Sequence, residues 1–311
     1  MIKMKEVIKI ANLSKKYGKN TVVDNVNLSI QQGEIFGFLG LNGAGKTTTI
    51  RMLLGMVKPT KGECFIQGTK INKRNTEIWQ NVGYIVETPY SYPELTVREN
   101  LEIVRQLREI KDKYRIDWII KKLRLKEYEA KKVKHLSQGN NQRLGIAKAM
   151  IHKPQVLILD EPTNGLDPAG VVEVRQLLIE LAEQFGVTIL ISSHKLEEIS
   201  KMATNIAVIH YGKLIKKISN TQLEQQLGKS LILNGPFKKE MRSVLSQSGY
   251  DVKVLEEGLN DLQITNEDAI SNPEKVITIL VKAGYPPNLL KVEKEDLEKF
   301  FLRTIKEKED T

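Results

Sequence analysis

The nine residues Gly40–Thr48 constrain this chain more than any other stretch. Their sequence, Gly-Leu-Asn-Gly-Ala-Gly-Lys-Thr-Thr, follows an apolar, strand-like run, Glu34–Leu39, and opens a helix-like run through Leu54. A strand, this loop and a helix in that order are typical of a phosphate-binding loop. Glycines let successive backbone N–H groups turn toward an anion, and the helix adds the positive end of its dipole. The alternative is a glycine-rich turn before an ordinary helix, which the flanking elements disfavour.

The side chains of this loop predict how a nucleoside triphosphate would be held. Lys46 is spaced to reach the β- and γ-phosphates, and the Thr47 hydroxyl to bind Mg²⁺. The candidate nucleotide-binding residues of the loop are Asn42, Gly43, Ala44, Gly45, Lys46, Thr47 and Thr48. We therefore expect a nucleoside triphosphate and Mg²⁺ as cofactors.

Length and composition restrict the class of protein. A chain of 311 residues with 41% hydrophobic and 28% charged residues is expected to form two globular domains. No apolar run reaches the length of about 18 residues that spans a bilayer, and the N-terminus lacks the apolar core of a signal peptide. The one cysteine, Cys64, excludes an internal disulfide, so a cytosolic location is the simple interpretation.

The net charge of +10 has two interpretations. It suits a partner such as nucleic acid or the anionic inner face of a membrane, or it is only a solvated surface. The densest basic stretch runs from Arg105 to Lys134, and it has no aromatic-glycine spacing of the RNA-binding kind. We therefore expect no nucleic-acid partner.

Periodicity predicts an α/β fold in the first 220 residues. Residues 7–39 alternate between apolar and polar, as antiparallel strands do, and about 90–153 are helical, with Leu101, Val104 and Leu107 on one apolar face and Trp118, Ile119, Leu123 and Leu125 on another. Continuously apolar runs at 156–159, 187–191 and 206–209 predict buried parallel strands. Helices at about 171–184 and 196–202 separate these runs, so we expect a parallel sheet core.

Residues 221–311 predict a second, accessory domain. Strands are expected at 230–234, 251–256, 259–265 and 288–293, and helices at 237–248, 273–283 and 294–308. This order is the split βαβ, ferredoxin-like arrangement with one helix added. No catalytic motif occurs in this segment.

Carboxylates and a histidine follow two of the buried strands. Asp160 and Glu161 end the run 156–159, where Asp160 would hold Mg²⁺ and Glu161 would polarise the attacking water. Both acids could instead cap the next helix. His194 follows the strand 187–191 and would lie near the same crevice, although a lone histidine is as often structural.

Taken in order, these motifs resemble the nucleotide-binding subunit of an ATP-binding cassette (ABC) transporter over about residues 5–220. Leu136–Arg143 resembles the signature motif of that family, Asn164–Asp167 its dimer-interface loop, and His194 its switch histidine. Tyr17 falls where the family stacks an aromatic ring on adenine. The resemblance implies a P-loop NTPase cassette with a parallel core, an antiparallel β subdomain and a helical subdomain.

The resemblance also implies partners. In the family, the signature motif of one subunit closes over the γ-phosphate held by the other, so Ser137 and the N–H of Gly139 would form a second anion-binding surface. The chain would then work as a homodimer or beside a related subunit. A separate integral-membrane permease would carry the substrate, which places the chain on the inner face of the cell membrane.

Two departures from the family pattern are informative. Gln138 and Asn140 replace the usual glycine and glutamine, whereas Ser137 and Gly139 are kept. Glu87 replaces a glutamine that meets Mg²⁺ and passes the nucleotide state to the permease; a carboxylate is also a magnesium ligand but adds charge beside the γ-phosphate. Glutamate here resembles the lantibiotic-immunity and bacitracin-resistance exporters of Gram-positive bacteria.

The leading hypothesis is thus an ATPase that powers export of a membrane-active peptide antibiotic. Its catalytic set is Glu161, His194 and Glu87, and its metal set is Thr47, Asp160 and Glu87. One alternative is a soluble family member acting on ribosomes or nucleic acid. Another is the ATPase of a complex that senses a drug without bulk transport.

Overall fold

Strands and helices alternate along the first 220 residues, as their periodicity predicts. The computed structural model describes residues 5–87, 89–255, 261–295, 297, 299–301 and 303–304. These residues form two units, one ending at Asn220 and the other beginning at Thr221. In chain order the first unit contains β1 (Glu6–Tyr17), β2 (Asn20–Gln31), β3 (Ile35–Leu39), α1 (Lys46–Leu53), β4 (Lys61–Ile66), β5 (Thr69–Lys70), β6 (Val82–Ile85), α2 (Val97–Leu107), α3 (Tyr114–Lys122), α4 (Gln138–Met150), β7 (Val156–Asp160), α5 (Pro168–Phe185), β8 (Thr188–Ser193), α6 (Leu196–Ser200), β9 (Asn205–His210) and β10 (Lys213–Ser219).

The core of the first unit is a six-stranded sheet of order β10-β9-β3-β8-β7-β6. All neighbours are parallel except β9 and β10, which form an antiparallel hairpin. Every residue of β3, β7 and β8 is buried, as expected for strands covered on both faces. The carboxyl ends of β3, β7 and β8 therefore meet at one edge, and that edge carries the phosphate-binding loop and the predicted acids.

A second sheet, of order β2-β1-β4-β5, is antiparallel throughout. The prediction that all of residues 7–39 form antiparallel strands is wrong for its last part. Residues 35–39 are β3 and pair in parallel with β8 and β9. The reason is visible in burial: β3 is buried throughout, whereas β1 and β2 alternate between buried and exposed residues.

The helical subdomain comprises α2, α3 and α4, joined by 3₁₀ turns at Lys126–Tyr128 and Val133–His135. Thr96 starts α2 with a capping box, because its hydroxyl accepts from Glu99 N–H and the Glu99 carboxylate accepts from Thr96 N–H. Leu101 is fully buried, but the predicted apolar face is wrong at Leu107, which is 78% exposed. Leu107 is the last residue of α2, where the chain turns away from the core.

The second unit is a four-stranded antiparallel sheet with helices, and it has the predicted ferredoxin-like order. Its elements are α7 (Asn220–Gln226), β11 (Lys229–Asn234), α8 (Lys238–Gln247), β12 (Val252–Val254), β13 (Leu262–Ile264), α9 (Glu267–Ser271), α10 (Pro273–Lys282) and β14 (Leu289–Lys294). The sheet order β12-β13-β11-β14 is that of the split βαβ fold. The short helices α7 and α9 were not predicted. Residues 256, 259–260, 296, 298, 302 and 305–308 of the predicted elements lie outside the described residues.

Helices α8 and α10 cover one face of this sheet. Leu231 and Leu233 of β11 are fully buried, and so are Leu245 of α8 and Leu280 of α10. The second unit thus has an apolar core of its own. None of the helices in the described part of the chain is both long and apolar enough to cross a membrane.

Candidate active site

The phosphate-binding loop joins β3 to α1 and has the backbone that an anion site requires. Gly43 and Gly45 have positive φ values of 80° and 104°. A Cβ at Gly45 would lie 2.8 Å from the carbonyl oxygen of Val22 in β2, so only glycine fits there. Lys46 begins α1 and is 6% exposed, and its Nζ donates to the carbonyl oxygens of Gly40 at 2.7 Å and Leu41 at 3.3 Å. The loop therefore holds its lysine inside the curve of its own backbone.

Thr47 and Asp160 meet at the carboxyl edge of the central sheet. The Thr47 hydroxyl donates to Oδ2 of Asp160 at 2.8 Å, and the Ser192 hydroxyl donates to Oδ1 of the same carboxylate. Asp160 and Ser192 are paired positions on β7 and β8, and both are almost completely buried. Both carboxylate oxygens are therefore held by hydroxyl groups, which fixes the orientation of Asp160.

Ser192 is a site residue that the sequence interpretation missed. Its hydroxyl accepts from the backbone N–H of Glu161 at 3.1 Å in addition to donating to Asp160. It thereby connects the two consecutive acids. The signal available in the sequence was its place near the end of a predicted buried strand, next to the strand that carries the acids.

Glu161 lies between a lysine and a histidine. Its Oε1 is 3.3 Å from Nζ of Lys46, and its Oε2 is 2.9 Å from Nδ1 of His194. The Glu161 side chain is 17% exposed and the His194 side chain 35%, so both reach the surface of the crevice. Glu161 also has a positive φ of 50°, a conformation that is uncommon for residues other than glycine and is often found at functional sites.

Glu87 contacts the helix that follows the phosphate-binding loop. Its Oε1 lies 2.7 Å from Nη2 of Arg51 in α1, and its φ is 58°. Among the contacts between described residues, none joins Glu87 to Thr47 or Asp160. The predicted metal set is thus brought together for two of its three members, while the third is held by an arginine.

Tyr17 lies at the end of β1, in the hairpin with β2, and is 49% exposed. The ammonium group of Lys15 lies 4.8 Å from the centre of its ring. Its ring is available for stacking, but none of the contacts between described residues joins it to the phosphate-binding loop.

The signature segment forms the start of α4, away from the acids. Ser137 caps this helix by accepting from Asn140 N–H at 3.3 Å. The backbone of Gly139 lies beside Gly165, and a Cβ at Gly165 would clash with the side chain of Gln138 at 2.5 Å. The signature segment and the predicted dimer-interface loop are therefore packed together. None of the hydrogen bonds in the described residues connects Ser137 or Gly139 to Lys46.

The donor set at the sheet edge fits a hard divalent cation bound together with phosphate. Thr47 and Asp160 at that edge, and Glu87 where it pairs with Arg51 of α1, offer oxygen atoms only, which suits Mg²⁺. The described residues contain no group of three or more His, Cys, Asp or Glu that would hold a metal alone. Magnesium is commonly held by one or two carboxylates plus substrate phosphates, so the two observations agree.

A cavity of about 410 Å³ lies at the other end of the sheet. It is lined by residues before or at the start of parallel strands, among them Gln155 and Thr188, and by Trp118 and Phe185. None of the predicted site residues lines it.

The geometry suits a nucleotide-binding site, and comparison with known proteins agrees. The profile of the ABC transporter family matches residues 23–164. The bacitracin transport ATP-binding protein BcrA of Bacillus licheniformis is 39% identical over 304 residues, which cover 97% of this chain and 98% of that protein. The chain belongs to the ABC transporter family. It is an ATP-binding subunit of that family, and its enzymatic activity is ATP hydrolysis.

Other members of the family are similar over shorter spans. The lantibiotic transport ATP-binding protein SrtF of Streptococcus pyogenes is 39% identical over 67% of this ABC subunit and 89% of its own length. Among solved structures, a dimeric ATP-binding cassette in a post-hydrolysis state with ADP and phosphate has a TM-score of 0.64 at 27% identity, covering 68% of this chain and 98% of the cassette. Another solved structure, cbiO1 of Clostridium perfringens from the ABC transporter complex cbiONQ, has a TM-score of 0.63 at 26% identity, covering 78% of this chain and 97% of that one.

Proposed function

We propose that this ABC subunit hydrolyses ATP to power a bacterial exporter of peptide antibiotics of the lantibiotic or bacitracin kind, for resistance or self-immunity. One observation carries the proposal: the similarity to the bacitracin transport protein spans 97% of this chain, including the second unit. If the two proteins were similar only in their ATP-binding cassettes, residues 221–311 would lie outside the similarity. The glutamate at position 87 is the feature of the site that favours the same subgroup.

Each of the site residues described above has a role in hydrolysis. Lys46 neutralises the β- and γ-phosphates, and Thr47, Asp160 and Glu87 would hold Mg²⁺, which would offset the negative charge of the phosphates. Glu161 accepts a proton from the attacking water, and His194 orients Glu161 and contacts the γ-phosphate. Tyr17 stacks on the adenine ring.

Two copies of the chain, or one copy and a related ATPase, complete the site. Ser137 and the N–H of Gly139 lie at the N-terminus of α4, a 13-residue helix whose first turn carries no acidic side chain. Such a terminus attracts anions through free N–H groups and the helix dipole. We place the γ-phosphate of the partner subunit there, so that ATP joins the two subunits and hydrolysis releases them.

The transported substrate crosses the membrane through a separate integral-membrane permease. The chain lies on the inner face of the cell membrane, and the segment 87–96 that follows β6 contacts the permease. The described part of that segment includes the exposed rings of Tyr90 and Tyr92, 5.9 Å apart. Exposed aromatic residues are enriched in interfaces between proteins.

The basic surface gives little support to the alternative in which the chain acts on ribosomes or nucleic acid. Within the basic stretch 105–134, six of the twelve lysine and arginine side chains are paired with acids. The pairs are Arg105 with Glu102, Lys122 with Glu180, Arg124 with Glu173, Lys126 with Glu129, and Lys132 and Lys134 with Glu94. Basic side chains that are paired with carboxylates are less available to bind the phosphates of a nucleic acid.

Co-purification from membranes tests the proposal. Tagged wild-type chain and the Glu161→Gln variant, which should retain ATP, are extracted with detergent in the presence of ATP. A multi-span membrane protein recovered with both supports the transporter, and its co-expression with the wild-type chain should raise resistance to bacitracin or a lantibiotic. Recovery of ribosomes or nucleic acid instead would overturn it. Drug-dependent signalling without increased export would favour the sensing complex.

A further inference from the structure

Arg51, in the helix that follows the phosphate-binding loop, forms an ion pair with Glu87. Oε1 of Glu87 lies 2.7 Å from Nη2 of Arg51, and the two side chains are 61% and 37% exposed. A glutamine at position 87 would carry no charge to attract the guanidinium. The ion pair is therefore a consequence of the carboxylate that this chain has at that position.

Arg51 lies on the same face of α1 as Thr47. The two residues are four positions apart in one helix, so their side chains lie one above the other, with Cβ atoms about 5–6 Å apart. Thr47 in turn donates to Asp160. The carboxylate of Glu87 is thus held by an arginine that lies one helical turn from Thr47, whose hydroxyl we assign to Mg²⁺.

We infer that Arg51 is a positioning residue that competes with the metal ion for the carboxylate of Glu87. When Glu87 is paired with Arg51, its charge is offset and it does not repel the phosphates of the nucleotide. When Mg²⁺ and the nucleotide are bound, the metal takes the carboxylate and Arg51 is released. The inference rests on the magnesium site of the proposed function, and it makes the position of the 87–96 segment depend on the metal.

The strength of the pair suits an exchange of partners. Ion pairs between exposed side chains are weak, and their loss changes an equilibrium constant by about two- to fivefold. A metal bound to a carboxylate and phosphates readily exceeds this. The backbone of Glu87 has a positive φ of 58°, a conformation that is uncommon for residues other than glycine and is often found at functional sites.

Nucleotide binding with and without metal tests the inference. The readout is the affinity for a fluorescent, non-hydrolysable ATP analogue, measured in Mg²⁺ and in EDTA; the ratio of the two affinities is the metal coupling. Four chains are compared: wild type, Arg51→Met, Glu87→Gln and the double variant, with Arg51→Lys as a control that keeps the charge. Thermal unfolding checks that each variant is folded. We expect that it is, because the backbone carbonyl oxygen of Arg51, which accepts from Met56 and Val57 N–H, is kept in every variant.

Arg51→Met should raise the metal coupling about two- to fivefold when Glu87 is present and leave it unchanged when Gln replaces Glu87. In EDTA the same variant should bind the analogue more weakly, because the freed carboxylate repels phosphate. Arg51→Lys should stay close to the wild type. An equal change in both backgrounds, or no change in either, would overturn the inference. A wild-type chain whose nucleotide affinity does not respond to Mg²⁺ would instead overturn the magnesium site itself.

Discussion

Oε2 of Glu161 lies 2.9 Å from Nδ1 of His194, so the carboxylate and the imidazole form a pair at the ends of two neighbouring strands. The parallel pairing of β7 with β8 brings them together, because the carboxyl ends of adjacent parallel strands lie at the same edge. The other oxygen of Glu161 is 3.3 Å from Lys46. Glu161 is therefore oriented from two sides, which is the arrangement that a general base beside a phosphate requires.

Replacing Glu161 with Gln should reduce ATP turnover by about 10²- to 10⁴-fold, the usual contribution of a general base. The amide keeps the shape of the side chain but cannot accept the proton of water. Phosphate release measures the loss, and binding of an ATP analogue should persist. Glu183→Gln, which changes an exposed acid on α5, serves as a matched control with unchanged turnover. Normal turnover in the Glu161→Gln variant would show that Glu161 is not the general base.

Replacing His194 with Ala should lower kcat by about 10²-fold with little change in KM, since a donor beside the developing charge acts mainly in the transition state. His194→Gln keeps a donor near the carboxylate and should lose less. The comparison variant is His135→Ala, which removes an exposed histidine from a 3₁₀ turn. Equal losses in kcat for the Ala variants at both positions would contradict this role.

The candidate site residues that the sequence alone locates are those that depend on local order along the chain. The phosphate-binding loop, the acids after β7 and the histidine after β8 all follow buried apolar runs, so strand ends could be located without a structure. The structure adds contacts between residues far apart in sequence. The bond from Ser192 to Asp160 and the pair of Arg51 with Glu87 depend on how strands and loops pack, which periodicity does not report.

The errors in predicting the fold also come from packing that the sequence pattern does not report. Strand β6 was not predicted because it has four residues, one of which is a glycine that lets α4 approach: a Cβ at Gly83 would lie 2.0 Å from the carbonyl oxygen of Ala149. Strand β10 was not predicted because three of its seven residues are lysines, which is common in edge strands. Strand β3 was grouped with β1 and β2 because they are consecutive, although it pairs elsewhere.

Ser192→Ala should destabilise the first unit by about 1–3 kcal/mol, because it leaves an oxygen of buried Asp160 without its hydroxyl donor. The N–H of Glu161 loses the hydroxyl but still donates to the backbone carbonyl oxygen of residue 192. Urea unfolding followed by tryptophan fluorescence measures this, since the two tryptophans, Trp79 and Trp118, both belong to the first unit. Ser246→Ala on the exposed side of α8 is the control. Unchanged stability together with unchanged turnover would show that Ser192 does not hold the acids.

His152 should make the first unit sensitive to mild acid. Burial, followed by the positive charge of Arg108, lowers the pKa of His152 from its ordinary 6.5 to about 4, and Nε2 lies 3.1 Å from the carbonyl oxygen of Val82. Because the folded pKa lies below the unfolded one, stability is complete above pH 6.5 and falls as the pH decreases toward 4. The expected loss by pH 4 is about 3 kcal/mol, at roughly 1.4 kcal/mol per pKa unit, because the folded protein is itself half protonated at His152 at that pH.

The measurement for His152 is the free energy of unfolding from urea titrations between pH 7.5 and pH 4. A His152→Gln variant keeps a donor for Val82 but does not titrate, so its stability should fall less over this range. The control is His135→Gln, whose ring is exposed. If wild type and His152→Gln lose stability in parallel, the ring of His152 does not carry the effect.

Gly139→Ala should fold normally and yet lose ATP turnover by about 10²-fold, comparable to the loss of one donor from an anion site. The nearest atoms to a Cβ at this position are 3.5 Å away, an ordinary contact, and alanine favours the helix. A Cβ would instead obstruct the phosphate of the partner subunit. Gly83→Ala is the contrasting variant, because its Cβ would clash with the backbone of α4 and destabilise the unit by about 1–3 kcal/mol.

Mixing two inactive chains tests whether each site takes Lys46 from one subunit and Gly139 from the other. In a dimer of Lys46→Ala with Gly139→Ala, both changes fall on one site, and the second site is left with an intact Lys46 and an intact Gly139. The mixture should therefore recover ATP turnover that neither variant shows alone, approaching half of the wild-type rate per heterodimer if the sites act independently. Phosphate release across mixing ratios measures the recovery. If each site were built from a single chain, both halves of the mixed dimer would be inactive and no ratio would restore turnover.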